Sequence, residues 1–291
     1  MNKDNLEKKM KRQDFLRSLA FLAPSLIGVG VFFIVPFFVV VYYSLIDGVA
    51  TKNFVGLENF KNLFNNSAFR MATKNTLHFS LIAVPLAVIL AIALAVMLES
   101  KIPGKSYFRS FFLSPMMVPV ASVILIWQVI FNYNGTLNEL LNLKIDYLQS
   151  EYAQIVVMLL FLWKNLGYNM ILFMAALNNI PRDLLEVADV EGASEVYKFF
   201  NIKLRYLSPT ILFVTILSLI NSFKVFREVY LLAGDYPYET LYMLQHFMNN
   251  TFKSLDYQKL SAAAVIMALV LVVIIWLLFK VEDWFGKDVE G

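Results

Sequence analysis

Lys164, Asn165 and Tyr168 fall at i, i+1 and i+4 of one apolar run, so a helix puts them on one face with Trp163 and Gly167 beside them. In a second run Asn221, Lys224 and Glu228 fall at i, i+3 and i+7. Amides and cations hydrogen-bond hydroxyl groups, and aromatic rings stack on the apolar faces of pyranoses, so this mixture suits a hydroxyl-rich solute. Both runs are apolar enough to cross a bilayer, where an ionisable group is costly unless it faces protein or water. Counted at about 1.5 Å per residue from inner ends at Leu177 and Pro209, Lys164 and Lys224 lie roughly 20 and 22 Å into a core of about 30 Å. Trp163, Lys164, Asn165, Tyr168, Asn221 and Lys224 are therefore the candidate solute path, a polar ring slightly beyond the midplane. Two plainer fates stand beside it: Lys164 snorkelling outward, and Lys224 pairing with Glu228 one turn on.

The elements that must position these residues follow from composition. A hydrophobic content of 59%, charged residues at 16% and a mean hydropathy of +0.62 exclude a soluble globular domain. The expectation is an all-α polytopic membrane protein with six spans, near 19–43, 77–98, 111–131, 153–177, 209–230 and 261–279. Pro24 and Pro36 predict kinks in the first span, and Pro115 and Pro119 lie in the first turns of the third. The first span is long and lacks a small-residue cleavage site after it, so it reads as an anchor rather than a cleaved leader. Six spans and their loops account for the chain, leaving any energy source to a partner. The net charge of +3 does not suggest nucleic acid, and the absence of Cys with only His78 and His246 leaves no metal or thiol chemistry.

Orientation follows from counting basic residues. Lys3, Lys8, Lys9, Lys11, Arg12 and Arg17 precede the first span, and inner segments, including 101–109, the loop 178–209 and the end of the chain with Lys280 and Lys287, hold 15 of 25 against seven in outer segments. Residues 1–18, the tail 282–291 and the loop 178–209 are thus expected in the cytoplasm.

That loop is too polar to span. Pro181 suits a first helical position, Asp183 meets the helix dipole, and Gly192 can end the helix. Ala188 and Gly192, four residues apart, predict a surface without bulky side chains. Ser194 can cap a second helix whose apolar face is Val196, Phe199, Phe200, Leu204 and Leu207. The loop reads as a docking surface, with an amphipathic linker on the lipid surface as the bland alternative.

Glu186, Ala188, Gly192, Ala193, Ile202 and Leu204 resemble the Glu-Ala-Ala, Gly and Ile-x-Leu-Pro motif of membrane-spanning subunits of binding-protein-dependent ABC importers. Val187, Glu191 and Arg205 depart from it. Phe54-Val55-Gly56-Leu57-Glu58-Asn59-Phe60, Asn75-Thr76, Arg109, Pro115, Trp127, Asn134-Gly135 with Asn138, Trp163-Lys164 with Gly167, and Gly234, Pro237 and Thr240 are similar to the carbohydrate branch. The resemblance implies a type I importer permease fold and a coupling helix between helices 4 and 5 that docks on a separate dimeric ATPase. It also implies a second homologous permease subunit, an extracellular or periplasmic solute-binding protein, a sugar or oligosaccharide substrate and the bacterial cytoplasmic membrane. No cofactor of its own is implied, since the ATPase partner binds ATP. The alternatives are an importer permease for a non-sugar solute and an ion-driven secondary transporter. Against the latter stand the lack of an internal repeat and of span carboxylates other than Glu228. An intramembrane enzyme would need a motif such as H-E-x-x-H or G-x-S-x-G, and neither is present.

Overall fold

The computed structural model describes residues 3–99 and 103–286. Lys101, Lys287 and the rest of the tail beyond 286, with residues 1–2, lie outside that range. Six helical stretches are long and apolar enough to cross a membrane. Among the described residues there is no strand beyond an isolated bridge between Ile46 and Phe54.

The first span is α1 (Lys3–Val29), a π turn (Gly30–Ile34) and α2 (Val35–Ser44). Pro24 is absorbed within α1; the irregularity sits just before Pro36, where a wider turn relieves the clash between the proline ring and the carbonyl four residues back. Short α3 (Glu58–Asn65) leads to α4 (Ser67–Glu99), which begins ten residues before the expected start at 77. In place of one span over 111–131 there are two helices, α5 (Lys105–Met117) and α6 (Val120–Phe131). The cause is Pro119, which forces Val118 into extended geometry at φ −89°, ψ 130°. Then follow α7 (Thr136–Leu141), α8 (Ala153–Asn178), α9 (Arg182–Val190) and α10 (Glu195–Lys198). A second π turn (Phe199–Lys203) and α11 (Leu204–Tyr206) lead to the fifth span. It too is broken, into α12 (Ser208–Lys224) and α13 (Phe226–Ala233) with Val225 between them. α14 (Leu244–Lys253) and the long α15 (Tyr257–Gly286) complete the order.

Packing divides the chain into two units, one of residues up to Leu63 with Thr251–Ala268, the other of Phe64–Asn250 with the stretch from Leu269 onward. In the smaller unit, the Asn59 side chain donates to the carbonyls of Ser44 and Ile46 at 3.0 and 2.8 Å and closes the loop after the first span. In the larger unit α4, α8 and α12 form the core. Ala83, Ala87, Ala91 and Ala95 repeat every four residues on α4 and are fully buried, which lets α8 approach closely. Asn169 on α8 donates to the Ser218 hydroxyl on α12 at 3.0 Å, and Ser80 on α4 meets Ser222 at 2.8 Å. Each such bond contributes about 0.6 kcal/mol in lipid. Gly167 is a packing residue: a Cβ there would stand 1.8 Å from the Phe112 carbonyl oxygen, so α5 and α8 touch backbone to backbone.

The N-terminal end of α4 holds the segment 239–244 in place. Asn75 donates to the carbonyls of Glu239 and Tyr242, and the Thr76 hydroxyl accepts from the Leu244 amide at 2.8 Å. These bonds give a structural reason for an Asn-Thr pair at this point, and they set the position of Gln245.

Candidate functional site

A cavity of about 570 Å³ opens in the larger unit, and both broken helices reach it at their breaks, Val118 and Val225. Irregular backbone at membrane depth is tolerated only where it is buried in protein or lines a water-filled space, so the breaks and the cavity explain each other. Lys164, Asn165, Asn221 and Lys224 line it. Trp163 and Tyr168 do not. Trp163 packs against Trp127 with ring centroids 5.4 Å apart, and Tyr168 points out of α8 on an exposed face. For Trp163 the reason is angular, since it is turned about 100° from Lys164 and falls off the arc of Leu160, Phe161, Lys164 and Asn165 that lines the space; Tyr168 lies within that arc but one turn, about 6 Å, farther along the helix.

Three further polar or charged positions matter, Glu228, Arg227 and Gln245. Lys164 Nζ forms an ion pair with Glu228 Oε1 across the α8–α13 contact, and Glu228 is buried. Lys224 therefore does not pair with Glu228; the helix break at Val225 rotates the two apart, and no carboxylate among the described residues lies within ion-pair distance of Lys224. Arg227 on α13 is exposed and reaches the same Glu228 oxygen at 3.6 Å. Gln245 comes from the first turn of α14. Nothing in local sequence announces the Lys164–Glu228 pairing, because its partners are 64 residues apart. Gln245 lies in a stretch that reads only as an outer loop.

The amides are linked. Asn165 Nδ2 donates to the Phe161 carbonyl at 2.7 Å, and Asn221 Nδ2 donates to Asn165 Oδ1 at 2.8 Å. This leaves the Asn221 carbonyl oxygen and one N–H of each amide uncommitted toward the cavity. With the Phe161 ring in the wall, the lining offers both donors and acceptors plus an apolar face, which suits a polyhydroxylated solute.

At the other end of α8 lies the elbow. α9 ends in a Schellman motif: Gly192, at φ +79°, donates to the Asp189 carbonyl at 3.1 Å and Ala193 donates to that of Ala188 at 2.9 Å. Ser194 Oγ accepts from the Tyr197 amide at 3.2 Å and starts α10. Buried Lys198 pairs with both Asp189 and Glu195, clamping the two short helices together. Hydrogen bonding to Asp189, then to Glu195, holds the Lys198 ammonium above the usual lysine range. Lys203 Nζ reaches Glu99 Oε2, at the end of α4, at 2.7 Å.

Two expectations for the elbow are corrected. Ala188 and Gly192 do not share an open face: Ala188 is buried beside Leu185, and the helix stops before the turn that would bring Gly192 into line. The outer face of α9 is Glu186, Val187 and Val190, the last 90% exposed. Nor is the second helix continuous. The π turn inserts a residue, so Phe199 and Leu207 pack inward, Val196 and Phe200 stay exposed, and Ile202, Leu204 and Ala193 are half-buried.

Six apolar spans, two of them interrupted at a polar cavity, with a capped elbow at the end of the helix that crosses both sites, define a multi-pass helical transport protein. The chain belongs to the family of binding-protein-dependent transport system inner membrane components, whose model matches residues 83–291. It is similar to the probable ABC transporter permease protein YesP of Bacillus subtilis, at 30% identity over 288 residues covering 94% of this chain and 93% of that protein. To the sulfoquinovosyl glycerol transport system permease SmoG of Agrobacterium fabrum it is 30% identical, covering 87% and 86%. To the trehalose/maltose permease MalF of Thermococcus litoralis it is 28% identical, covering 98% and 99%. In fold it resembles a chain of a bacterial ABC transporter that imports the acidic polysaccharide alginate, with a TM-score of 0.81 at 22% identity over 96% of this chain and 98% of that one. A second structure of the alginate transporter, in complex with an alginate pentasaccharide-bound periplasmic protein, gives 0.80 at 24% identity and the same coverage.

Proposed function

We propose that this chain is one permease subunit of an ATP-driven importer for a sugar or oligosaccharide. It frames half of the pathway; a second, similar permease subunit frames the other half. An external binding protein delivers the solute, and a pair of cytoplasmic ATPases docks on the outer face of α9. Both termini then face the cytoplasm with the elbow.

The observation that carries this reading is that α8 serves both ends of the machine. It presents Lys164 and Asn165 to the cavity at mid-length and, three residues after its end at Asn178, the chain enters α9. A force on the exposed valines of α9 reaches α8 through the short link 179–181, and through the Schellman turn and the Lys198 clamp it reaches α10 and the stretch leading to α12, whose Asn221 and Lys224 line the same cavity. Movement of α9 with the closing ATPases would thus rock the wall between inward and outward access. The names of the relatives support a saccharide as the solute, as do the paired amides and the ring in the lining. Glu228, the span carboxylate that an ion-driven carrier would need free, is held by Lys164.

Because the chain contains no cysteine, Val190→Cys creates a single reactive site. A bifunctional maleimide should join that variant to a nucleotide hydrolase in native membranes. No such adduct, or labelling of the cysteine by an impermeant reagent from the outside, would defeat the model.

A further inference from the structure

We infer that the solute passed by this cavity is an anionic saccharide, one bearing carboxylate, sulfonate or phosphate groups; this rests on the sugar-importer reading above. Three cations, Lys164, Lys224 and Arg227, and one carboxylate, Glu228, line the space, a formal excess of two positive charges. Glu228 is taken up by Lys164, in direct ion-pair contact, and meets Arg227 only at 3.6 Å. Lys224 therefore faces the opening without a counter-ion among the described residues, and Arg227 has only a share of the carboxylate already held by Lys164. A neutral sugar needs only the amides of Asn165, Asn221 and Gln245, and uncompensated cations at membrane depth are costly to keep. An acidic sugar removes that cost each time it enters, because its charge is neutralised by groups already in place. The two cations also differ in kind: Arg227 offers a planar fork suited to a carboxylate or phosphate, while Lys224 is a point charge on a flexible stem. The amide pair then reads the hydroxyls beside the acid group.

The test uses the complete transporter in its own cells and compares strains with and without this chain. Uptake is measured for a size-matched panel, galacturonate dimers and trimers and glycerol 3-phosphate on one side, maltose, maltotriose and xylotriose on the other. Uptake that depends on this chain should be confined to acidic members. The double variant Lys224→Gln/Arg227→Gln should lower that uptake at least about tenfold, the loss expected for charge-assisted hydrogen bonds, while Lys224→Arg retains it. Chain-dependent uptake of neutral members, or acidic uptake unmoved by the double variant, overturns the inference and leaves the sugar reading standing. So does a double variant whose defect is loss of association with the second permease subunit at unchanged acid preference, since a carboxylate of that subunit would then be the counter-ion. Dependence of no member on the chain overturns the sugar reading itself.

Discussion

At the scale of single residues, burial decides which charges can exist. Lys164 and Glu228 are a closed pair, and removing one partner strands the other in low dielectric. Lys164→Met should cost about 3–5 kcal/mol of stability, and adding Glu228→Gln should recover most of it. Thermal midpoints of the three variants in detergent measure this, and additive losses would contradict the pairing. Tyr168→Phe, exposed and one turn beyond the cavity lining, should change stability and uptake little. His246 obeys the same logic outside the spans. It is fully buried, accepts the Met243 amide hydrogen on Nδ1 at 3.3 Å, and packs on Phe226 at 4.6 Å. Burial pushes its pKa down to about 4, with Asp235 opposing. The unfolded chain takes up a proton near pH 6.5 that the folded chain refuses until about 4. Stability is therefore full above pH 6.5 and falls through that window by up to about 3 kcal/mol. Melting curves at pH 7.5, 6 and 4.5 should show this decline, and His246→Leu should flatten it. The depth of His246 was not legible in the sequence, because the ring it packs on, Phe226, lies 20 residues earlier in the chain.

At the scale of elements, the six apolar runs were legible because length and hydropathy alone mark a helix that must satisfy its backbone inside lipid. The interruptions were only half legible. Pro119 stood in view, but a proline near a helix start is usually harmless, and it becomes a break here because Lys105–Met117 is already helical before it. The break at Val225 has no proline or glycine to signal it. Glycines behave alike: Gly167 and Gly192 look equivalent in sequence, yet one is there for space and the other for its backbone angle. Gly167→Ala should therefore destabilise by at least about 1–3 kcal/mol through overpacking against Phe112. Gly192 has open space around it and positive φ, so Gly192→Asn should keep most uptake while Gly192→Val loses more, although neither meets a neighbour. Equal uptake in both would mean that the turn conformation is not what the elbow requires.

At the scale of the whole molecule, motif spacing pointed to the transport family that the family match shows, while pairings between distant segments stayed hidden. One such pairing makes a prediction about coupling. Glu99→Gln removes the bridge to Lys203, so ATP hydrolysis by the assembled transporter should continue while solute uptake falls several-fold. Hydrolysis and uptake falling in step would assign the bridge to assembly instead. The same α4 that ends at Glu99 holds, near its beginning, the strap of residues 239–244 that carries Gln245. A helix hardly stretches. A tug of an ångström on the lower pin thus arrives at the upper one almost undiminished, some 35 Å away by the rise from Thr76 to Glu99 at about 1.5 Å per residue. In the importer proposed above, a push-rod anchored at both ends would let the door answer the engine without any separate messenger.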